Sequence, residues 1–465
     1  MKPEKLALLS IAVAVGLHAR IADAQEGIIE IYDRALENDP ALREAEANYL
    51  ATAEARPQAR ASLLPSLQLT TSTSTQSSEN PNPPLDFQSG LPSLVFSGTE
   101  LERDSDNLSL SLNQTVFDWG RYVTLRQSDK IVARAETDFA AAQQDLILRV
   151  ATTYFEVLAA EDNLASAVAA RESIARQLEQ AQRRFEVGLI AITDVQETQA
   201  GFDRAVADEI AAQRALASSQ EFLREIIGEY VTELAGPTED LPLLNPDPAN
   251  PEQWVETALE QNLALVSSRI SRDIAEDDIK IQRSVRFPTV DFSTGWQDQT
   301  SESTQTNNLF SGGSFTGNAN LTESVGYNWQ LNFRVPLYSG GVNRSRIQQT
   351  VYRHRSAMEA LERVARQTER ETRDAYLGVI SEISRVQALR QAVQSAQTAL
   401  RATEAGFEVG TRTSVDVLNV QNNLRQAETT YSRSRYDYIL NVLRLQQAAG
   451  ALDLEALREV DGWLE

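Results

Sequence analysis

Phe185-Glu186-Val187-Gly188 returns as Phe407-Glu408-Val409-Gly410, 222 residues further on. At the same offset Asp194-Val195 returns as Asp416-Val417, and Tyr154 as Tyr376. Upstream, Ala35-Leu36-Glu37 matches Ala258-Leu259-Glu260 and Pro65 matches Pro288, at an offset of 223. A spacing held within a residue over such a distance marks a tandem duplication. The boundary is visible too. Pro237, Pro242, Pro246, Pro248 and Pro251 fall in one short stretch, and no helix continues through that proline density. The expected organisation is a first repeat over 25–228, a linker over 229–251, a second repeat over 252–449 and a C-terminal segment over 450–465.

Each half has the same order: short helices, a strand pair around a long polar loop, then two long helices. The long helices are expected at about 121–187 and 194–228, and again at about 342–409 and 416–449. The first of each pair is free of proline and would extend roughly 100 Å at 1.5 Å per residue. No compact domain needs helices of that length. Val157, Leu164, Leu178 and Phe185 share one heptad position, interrupted by Arg171, and Val379, Val386, Val393, Leu400 and Phe407 hold it without a break. Val195, Phe202, Leu216 and Leu223 continue the pattern, as do Val417, Leu424, Tyr431, Tyr438 and Leu445. A sustained repeat of seven predicts coiled-coil-like packing, and an ordinary helical bundle is the plainer alternative. The apolar stripe is thin and backed by Ala, Gln, Arg and Glu, which suits a wall wetted on two sides.

Composition excludes several classes of function. The 465 residues are 42% hydrophobic and 23% charged, a folded balance. The formal charge of −23 argues against nucleic acid as a partner. It fits either solubility through self-repulsion or a water-filled interior that favours cations. Cysteine is absent, so disulfides, thiolate chemistry and a lipidated N-terminal cysteine are excluded. The start reads as a secretory signal over 1–24: Lys2 and Lys5, an apolar run from Leu6 to Leu17, then Ala22-Asp23-Ala24 ahead of Gln25. With His18 inside that signal, His354 is the only histidine left, which makes histidine triads and multi-histidine metal sites improbable. No catalytic set, cofactor or metal site is expected.

Four segments alternate with period two. Leu67, Leu69, Thr71 and Thr73 oppose Gln68, Thr70, Ser72 and Ser74; Leu108, Leu110 and Leu112 oppose Ser109, Ser111 and Asn113. Val290, Phe292, Thr294 and Trp296 oppose Asp291, Ser293 and Gln297. Tyr327, Trp329, Leu331, Phe333 and Val335 oppose Asn328, Gln330, Asn332 and Arg334. The predicted strands, about 66–76, 107–117, 289–299 and 326–337, have the length a tilted strand needs to cross a bilayer. Phe117, Trp119 and Tyr338 toward one side, and Trp296 and Tyr327 toward the other, resemble the aromatic girdles of outer-membrane barrels. Alone, the pattern fits a soluble antiparallel sheet with one wet face equally well. The signal and the helix lengths tilt the reading toward a membrane. Four strands cannot close in lipid, whereas three chains supply twelve and remove every edge. The polar loops at 77–105, with Pro81, Pro83 and Pro84, and at 302–325, with Ser311-Gly312-Gly313-Ser314, complete the pairs. The second has neither a lysine nor a following helix and reads as an exposed loop, not a phosphate cradle.

Taken together, these residues resemble the TolC family of outer-membrane efflux proteins, over essentially the whole mature chain. The most specific pieces are Val187 to Gln196 and Val409 to Leu418. Pro65 and Pro288 match the family's helix-to-strand joints, and Phe117-Asp118-Trp119-Gly120 and Leu337-Tyr338-Ser339-Gly340-Gly341 its strand-to-helix joints. The resemblance is nearer to the unlipidated members than to those carrying an N-terminal cysteine. It implies an α+β membrane protein: a homotrimer forming a 12-stranded transmembrane β-barrel, four strands per chain, continued by a long periplasmic α-helical barrel. It implies an exit duct in the outer membrane lipid, extending into the periplasm and serving a periplasmic adaptor and an inner-membrane pump or ABC exporter. The two Gly-containing turns would lie at the inner tip, with Gly188, Leu189, Gly410 and Thr411 docking the adaptor. Gly188 and Gly410 fit left-handed helix C-caps, and Thr193 with Gln196 fits a capping box. For closure the family's positions fall on Phe407, Arg412, Thr193 and Asp194, with Arg412 and Asp194 as a charge-assisted pair. Phe407 stands where the family has a tyrosine and would contribute only packing. Asp416 matches one aspartate ring of the entrance, or serves simply as a helix N-terminal acid. The second ring position is the neutral Asn419. A trimeric autotransporter adhesin would instead place its strands in one C-terminal block, and a periplasmic coiled coil would lack the paired strands.

Overall fold

The computed structural model describes residues 25–80, 96–231, 233–238, 241–309, 314–316 and 319–464. The signal segment, Pro81, Pro83, Pro84 and Ser311-Gly312-Gly313 lie outside the described residues. In chain order the elements are α1 (Ile28–Asn38), α2 (Pro40–Ala53), α3 (Ala55–Ala61), β1 (Ser66–Asn80), β2 (Phe96–Phe117), α4 (Trp119–Glu186) and α5 (Ile192–Ile227). There follow α6 (Pro251–Gln261), α7 (Leu263–Ser284), β3 (Thr289–Leu309), β4 (Ser314–Thr316), β5 (Asn320–Arg334), α8 (Val342–Glu408), α9 (Ser414–Ala449) and α10 (Leu454–Asp461). The chain divides into two compact units, one of 1–50, 134–269 and 359–465, the other of 51–133 and 270–358.

The first unit is helical. Ile28, Ile31, Tyr32 and Ala35 form the buried stripe of α1, at the spacing of one helix face. They join Leu146, Val150 and Tyr154 of α4, Ile227 of α5, Tyr438, Ile439 and Leu443 of α9, and Leu457 and Val460 of α10 in one core. The linker is tied into this core. Glu26 bridges Leu234 and Pro237 bridges Leu464. The Tyr154 hydroxyl sits 3.0 Å from the Glu26 carbonyl and 2.6 Å from that of Ala235, and the Leu244 N–H donates to the Tyr438 hydroxyl at 2.8 Å. Pro251, assigned to the linker from sequence, opens α6 instead. It stands at the first helical position, behind an Asn250 side chain that accepts the Glu252 N–H, and there its missing N–H costs nothing.

The seam between the long helices differs from the one drawn through the large residues. On α5 the buried heptad positions are Thr198, Ala205, Ala212, Ser219 and Ile226, and on α4 they are Ala167, Ile174 and Ala181. Of the predicted large positions Val157, Val195 and Leu223 are buried, Leu164, Leu178, Phe202 and Leu216 are half-buried and Phe185 is exposed. Small residues let two backbones approach, and on α5 the close neighbour is α9: Ala205 packs with Leu418 as well as Ile174. Arg171, which interrupts the large-residue stripe, is ion-paired to Glu209 of α5 at 3.1 Å. In the second repeat Val379, Val386, Val417, Tyr438 and Leu445 are buried, and Val393, Leu400, Phe407, Leu424 and Tyr431 are half-buried.

The second unit holds the sheet. β1, β2, β3 and β5 pair antiparallel in that order, and β4 adds a short hairpin strand on β3. Leu67 faces Leu112, Leu110 faces Trp296, and Trp296 faces Tyr327. All four long strands run past the predicted bounds at their loop ends. β1 reaches Asn80, β2 starts at Phe96, and β3 reaches Leu309, so much of the two expected loops is strand. β5 starts earlier, at Asn320, and stops at Arg334 rather than 337, because Pro336 lacks the N–H that pairing needs. Helical segments of this unit are held by buried charge. Asp277 of α7, 3% exposed, accepts from Lys130 of α4 at 2.5 Å and from Lys280 at 2.8 Å. Burial pushes its carboxyl up, but the two ammonium groups outweigh this and hold it below the usual range.

Candidate functional site

The two turns of the duplicated motif are built alike at their first half. After α4 the Gly188 N–H reaches the Phe185 carbonyl at 2.9 Å and the Leu189 N–H the Arg184 carbonyl at 2.8 Å. After α8 the Gly410 N–H reaches Phe407 at 3.1 Å and the Thr411 N–H reaches Gly406 at 2.9 Å. This is the Schellman pair of bonds, and it needs a left-handed residue. Gly188 has φ +76° and Gly410 φ +79°, and no heavy atom lies within 4 Å of where a Cβ would stand at either. Glycine is required by conformation there, not by crowding. Around the turns Val187, Leu189 and Val409 are 69%, 73% and 76% exposed, an unusual apolar display for a helix end.

Their second halves differ. Thr413 caps α9: its Oγ1 accepts the Asp416 N–H at 3.2 Å, and Asp416 Oδ2 accepts the Thr413 N–H at 2.9 Å. This is a reciprocal capping box. At the matching position of the first turn stands Ala191, the N-cap of α5, which has no side-chain oxygen. The expected box of Thr193 with Gln196 therefore does not form, since Thr193 lies inside the helix. Asp194, at the third helical position, donates its N–H to the Ala191 carbonyl at 3.2 Å, and its carbonyl accepts the Thr198 hydroxyl at 2.7 Å. The Asp416 carboxyl is held below the usual range, first by the Thr413 N–H, then by the Thr413 hydroxyl, with Arg412 adding a nearby positive charge.

The candidate gating residues sit close in sequence but are not linked into one network. Among the described residues of one chain no ion pair joins Arg412 to Asp194. The Arg412 stem instead folds over Gly406, where an added Cβ would stand 2.8 Å from its Cγ. Phe407 does more than pack: the Arg184 guanidinium lies over its ring, 4.8 Å from the centroid. Asn419 is exposed and lines a cavity of about 420 Å³ between α4, α5 and α9, with Ile174, Gly201, Ala205, Leu418 and Arg425. Gly201 lets α9 in, its Cβ position being 3.2 Å from a Leu418 methyl. Arg425 reaches Asp208 at 3.6 Å. Sequence reading missed Gly406, Arg184 and Gly201. The repeat could have flagged the first two, because Gly406 stands where the first copy has Arg184.

The comparisons agree with this architecture. The family described as "Outer membrane efflux protein" matches residues 31–229 and 254–451, one copy per repeat. The outer membrane protein TolC of Vibrio cholerae is 37% identical over 467 residues, covering 99% of each chain. TolC of Escherichia coli is 33% identical over 97% of this chain and 87% of its own. In solved structures the CmeC outer membrane channel of Campylobacter jejuni superposes with a TM-score of 0.71 at 18% identity, over 95% of this chain and 90% of that one. VceC, an outer membrane protein of Vibrio cholerae, gives 0.67 at 19% identity, over 91% and 96%. The chain is a member of the outer membrane efflux protein family.

Proposed function

We propose that this protein is the outer-membrane exit duct of an efflux or type I secretion assembly, a passive channel from the periplasm to the exterior. The observation that carries the reading is a four-stranded sheet whose rows nearest the helices have one apolar and one polar face, and whose edges, β1 and β5, have no outer partner among the described residues. Such edges are not tolerated in lipid. Three copies joined edge to edge give twelve strands and no edge, around a lumen lined by the polar face. No helix among the described residues is long and apolar enough to span, so the strands must do so. Both routes of export have relatives at hand. AprF of Pseudomonas aeruginosa, 29% identical over 92% of this chain, is an alkaline protease secretion protein.

In this reading the turns at Gly188 and Gly410 face an adaptor, and their exposed Val187, Leu189 and Val409 support docking of an apolar helical hairpin. Arg412 and Asp194, which no ion pair joins among the described residues of one chain, pair in this reading between neighbouring chains. Asp416 contributes one ring of three carboxylates at the entrance, the Asn419 ring being neutral. The purified mature protein in planar bilayers should form trimer-sized, cation-preferring channels. Asp416→Asn keeps an oxygen for the capping box and should lower the cation preference. A water-soluble monomer that never conducts would overturn the duct, and an unchanged reversal potential in Asp416→Asn would remove the ring.

A further inference from the structure

β2 and β3 are nearly twice as long as a bilayer requires, and only one face of the sheet changes character along that length. Cross-strand partners define the rows of the apolar face, starting from the end joined to the helices. Leu67, Leu112, Thr294 and Trp329 share one row; Leu69, Leu110, Trp296 and Tyr327 the next; then Thr71, Leu108, Asp298 and Val325. Below them lie Phe292 with Leu331, and Val290 with Phe333. Beyond Val325 the same face changes sharply. Its rows become Thr73, Asp106, Thr300 and Glu323; Thr75, Asp104, Glu302 and Leu321; Ser77, Glu102 and Thr304; Glu79, Glu100 and Thr306. From Asp298 outward this face carries Glu79, Glu100, Glu102, Asp104, Asp106, Asp298, Glu302 and Glu323, and among its described residues in those rows no lysine or arginine. The opposite face is a run of Ser, Thr, Asn and Gln, charged only at Arg103, Asp291 and Arg334 within the paired rows.

We infer that the hydrocarbon of the membrane ends at the Leu108–Asp298–Val325 row, and that the outer rows of the barrel stand in water as an acidic collar facing away from the lumen. The inference rests on the outer-membrane reading and deepens it. From Phe333 to Val325 a strand covers ~27 Å, which a tilt of about 40° reduces to ~21 Å along the membrane normal, most of the ~25 Å apolar band of outer-membrane barrels. The same length of β2 again lies above it. Two pairs of acids face one another directly in the upper rows, Glu79 with Glu100 and Asp104 with Glu302. Like charges at cross-strand distance are repulsive, and only a high-dielectric surrounding makes them tolerable. Thr73 donates to Asp106 at 2.7 Å, which fixes that side chain on the same face as the leucines below it. Much of the sheet's acidity is therefore an outer-wall property, and the lumen face is close to neutral among the described residues.

The absence of cysteine makes a direct test simple. Single cysteines in the full mature chain, reconstituted in liposomes, are labelled with a hydrophilic maleimide and normalised to labelling in denaturant. Glu100→Cys, Asp104→Cys and Leu321→Cys should react at least about tenfold faster than Leu110→Cys, Tyr327→Cys and Leu331→Cys, whose thiols cannot ionise in hydrocarbon. Leu321→Cys is the sharpest of these, an apolar position assigned to water. Protection of Asp104→Cys and Leu321→Cys like Leu110→Cys would overturn the boundary. Asp104→Asn with Glu302→Gln should leave the reversal potential of single channels unchanged, and a fall in cation preference would place the collar on the lumen side and overturn it equally. Channels that conduct while Asp104→Cys is protected would refute the collar and leave the duct standing. Chains that never conduct would refute the duct itself.

Discussion

Asp39→Asn separates two tasks that one buried carboxylate performs. Asp39 is 2% exposed at the corner between α1 and α2. Its Oδ2 accepts the Leu42 N–H at 2.8 Å, capping α2, and also accepts Arg149 Nη2 at 2.7 Å, while Oδ1 lies 3.3 Å from Nη1. Asparagine retains an oxygen for the cap but presents an amide N–H₂ to the guanidinium. Removing one partner of a fully buried pair costs about 3–5 kcal/mol. Here the Arg149 side chain is 34% exposed and keeps Asp145 at 3.0 Å, so the loss should be nearer ~2 kcal/mol, the scale of a charge-assisted hydrogen bond. That is roughly a 30-fold rise in local opening, readable as faster amide exchange at the start of α2 and around Arg149 in α4. The pH dependence has a definite sign. Burial pushes the Asp39 carboxyl up, but Arg149 and the N–H groups of Leu42 and Ala41 overcome it, so the folded pKa lies below the ordinary one. The stabilisation is complete above about pH 4 and is lost as pH falls through the folded value. The gap between parent and Asp39→Asn should therefore close in acid. Equal exchange in the two proteins at neutral pH would refute the reasoning, as would a gap that widened below pH 4.

The remaining expectations use the duplication as an internal control. Ala191→Thr should create with Asp194 the capping box that α5 lacks and slow exchange in its first turn, whereas Thr413→Ala should speed it in α9 by the equivalent of about 1 kcal/mol. No change in either would show the caps to be irrelevant at these tips. Gly228 and Gly450 are the same glycine of the two copies, with φ +83° and +77°. Gly228→Ala meets only ordinary contact with Asn38 and should cost about 1–2 kcal/mol, the left-handed penalty alone. Gly450→Ala would place its Cβ 2.5 Å from the Gln261 carbonyl, so its denaturation midpoint should fall further than that of Gly228→Ala. Equal midpoints would contradict the packing at α6–α7.

Most of the fold was legible because its signals are periodic or repeated. The duplication, the four strands and the glycine turns all follow from spacing. What escaped has a common physical cause: hydrophobicity marks a boundary between water and something else, and several features of this chain have no such boundary. Ser77 to Asn80 continues β1 with polar residues on both faces, so period two leaves no trace there although the pairing to β2 runs on. The buried lines of α4 and α5 include Ala167, Ala181, Ala205, Ala212 and Ser219, whose small side chains a search for large apolar residues passes over.

The site shows the same limit at finer scale. Gly188 and Gly410 could be read because a left-handed turn demands glycine almost regardless of context. The capping of the next helix could not be carried from one copy to the other, because a single oxygen decides it: Thr413 has one and Ala191 does not. Duplication preserves the backbone path and leaves side-chain chemistry free to diverge. Asn262 stands where Asp39 does, with Glu371 in place of Arg149. Asn262 still caps its helix, accepting the Leu265 N–H at 3.1 Å, but its amide turns to the Ala448 carbonyl at 3.0 Å. The same corner is closed once by an ion pair and once by a neutral donor. A carboxylate at 262 would face the Ala448 carbonyl oxygen, so Asn262→Asp should destabilise the second copy even though aspartate is the native choice in the first. An Asn262→Asp protein as stable as its parent would mean that the two corners are interchangeable and that their partners do not determine their chemistry.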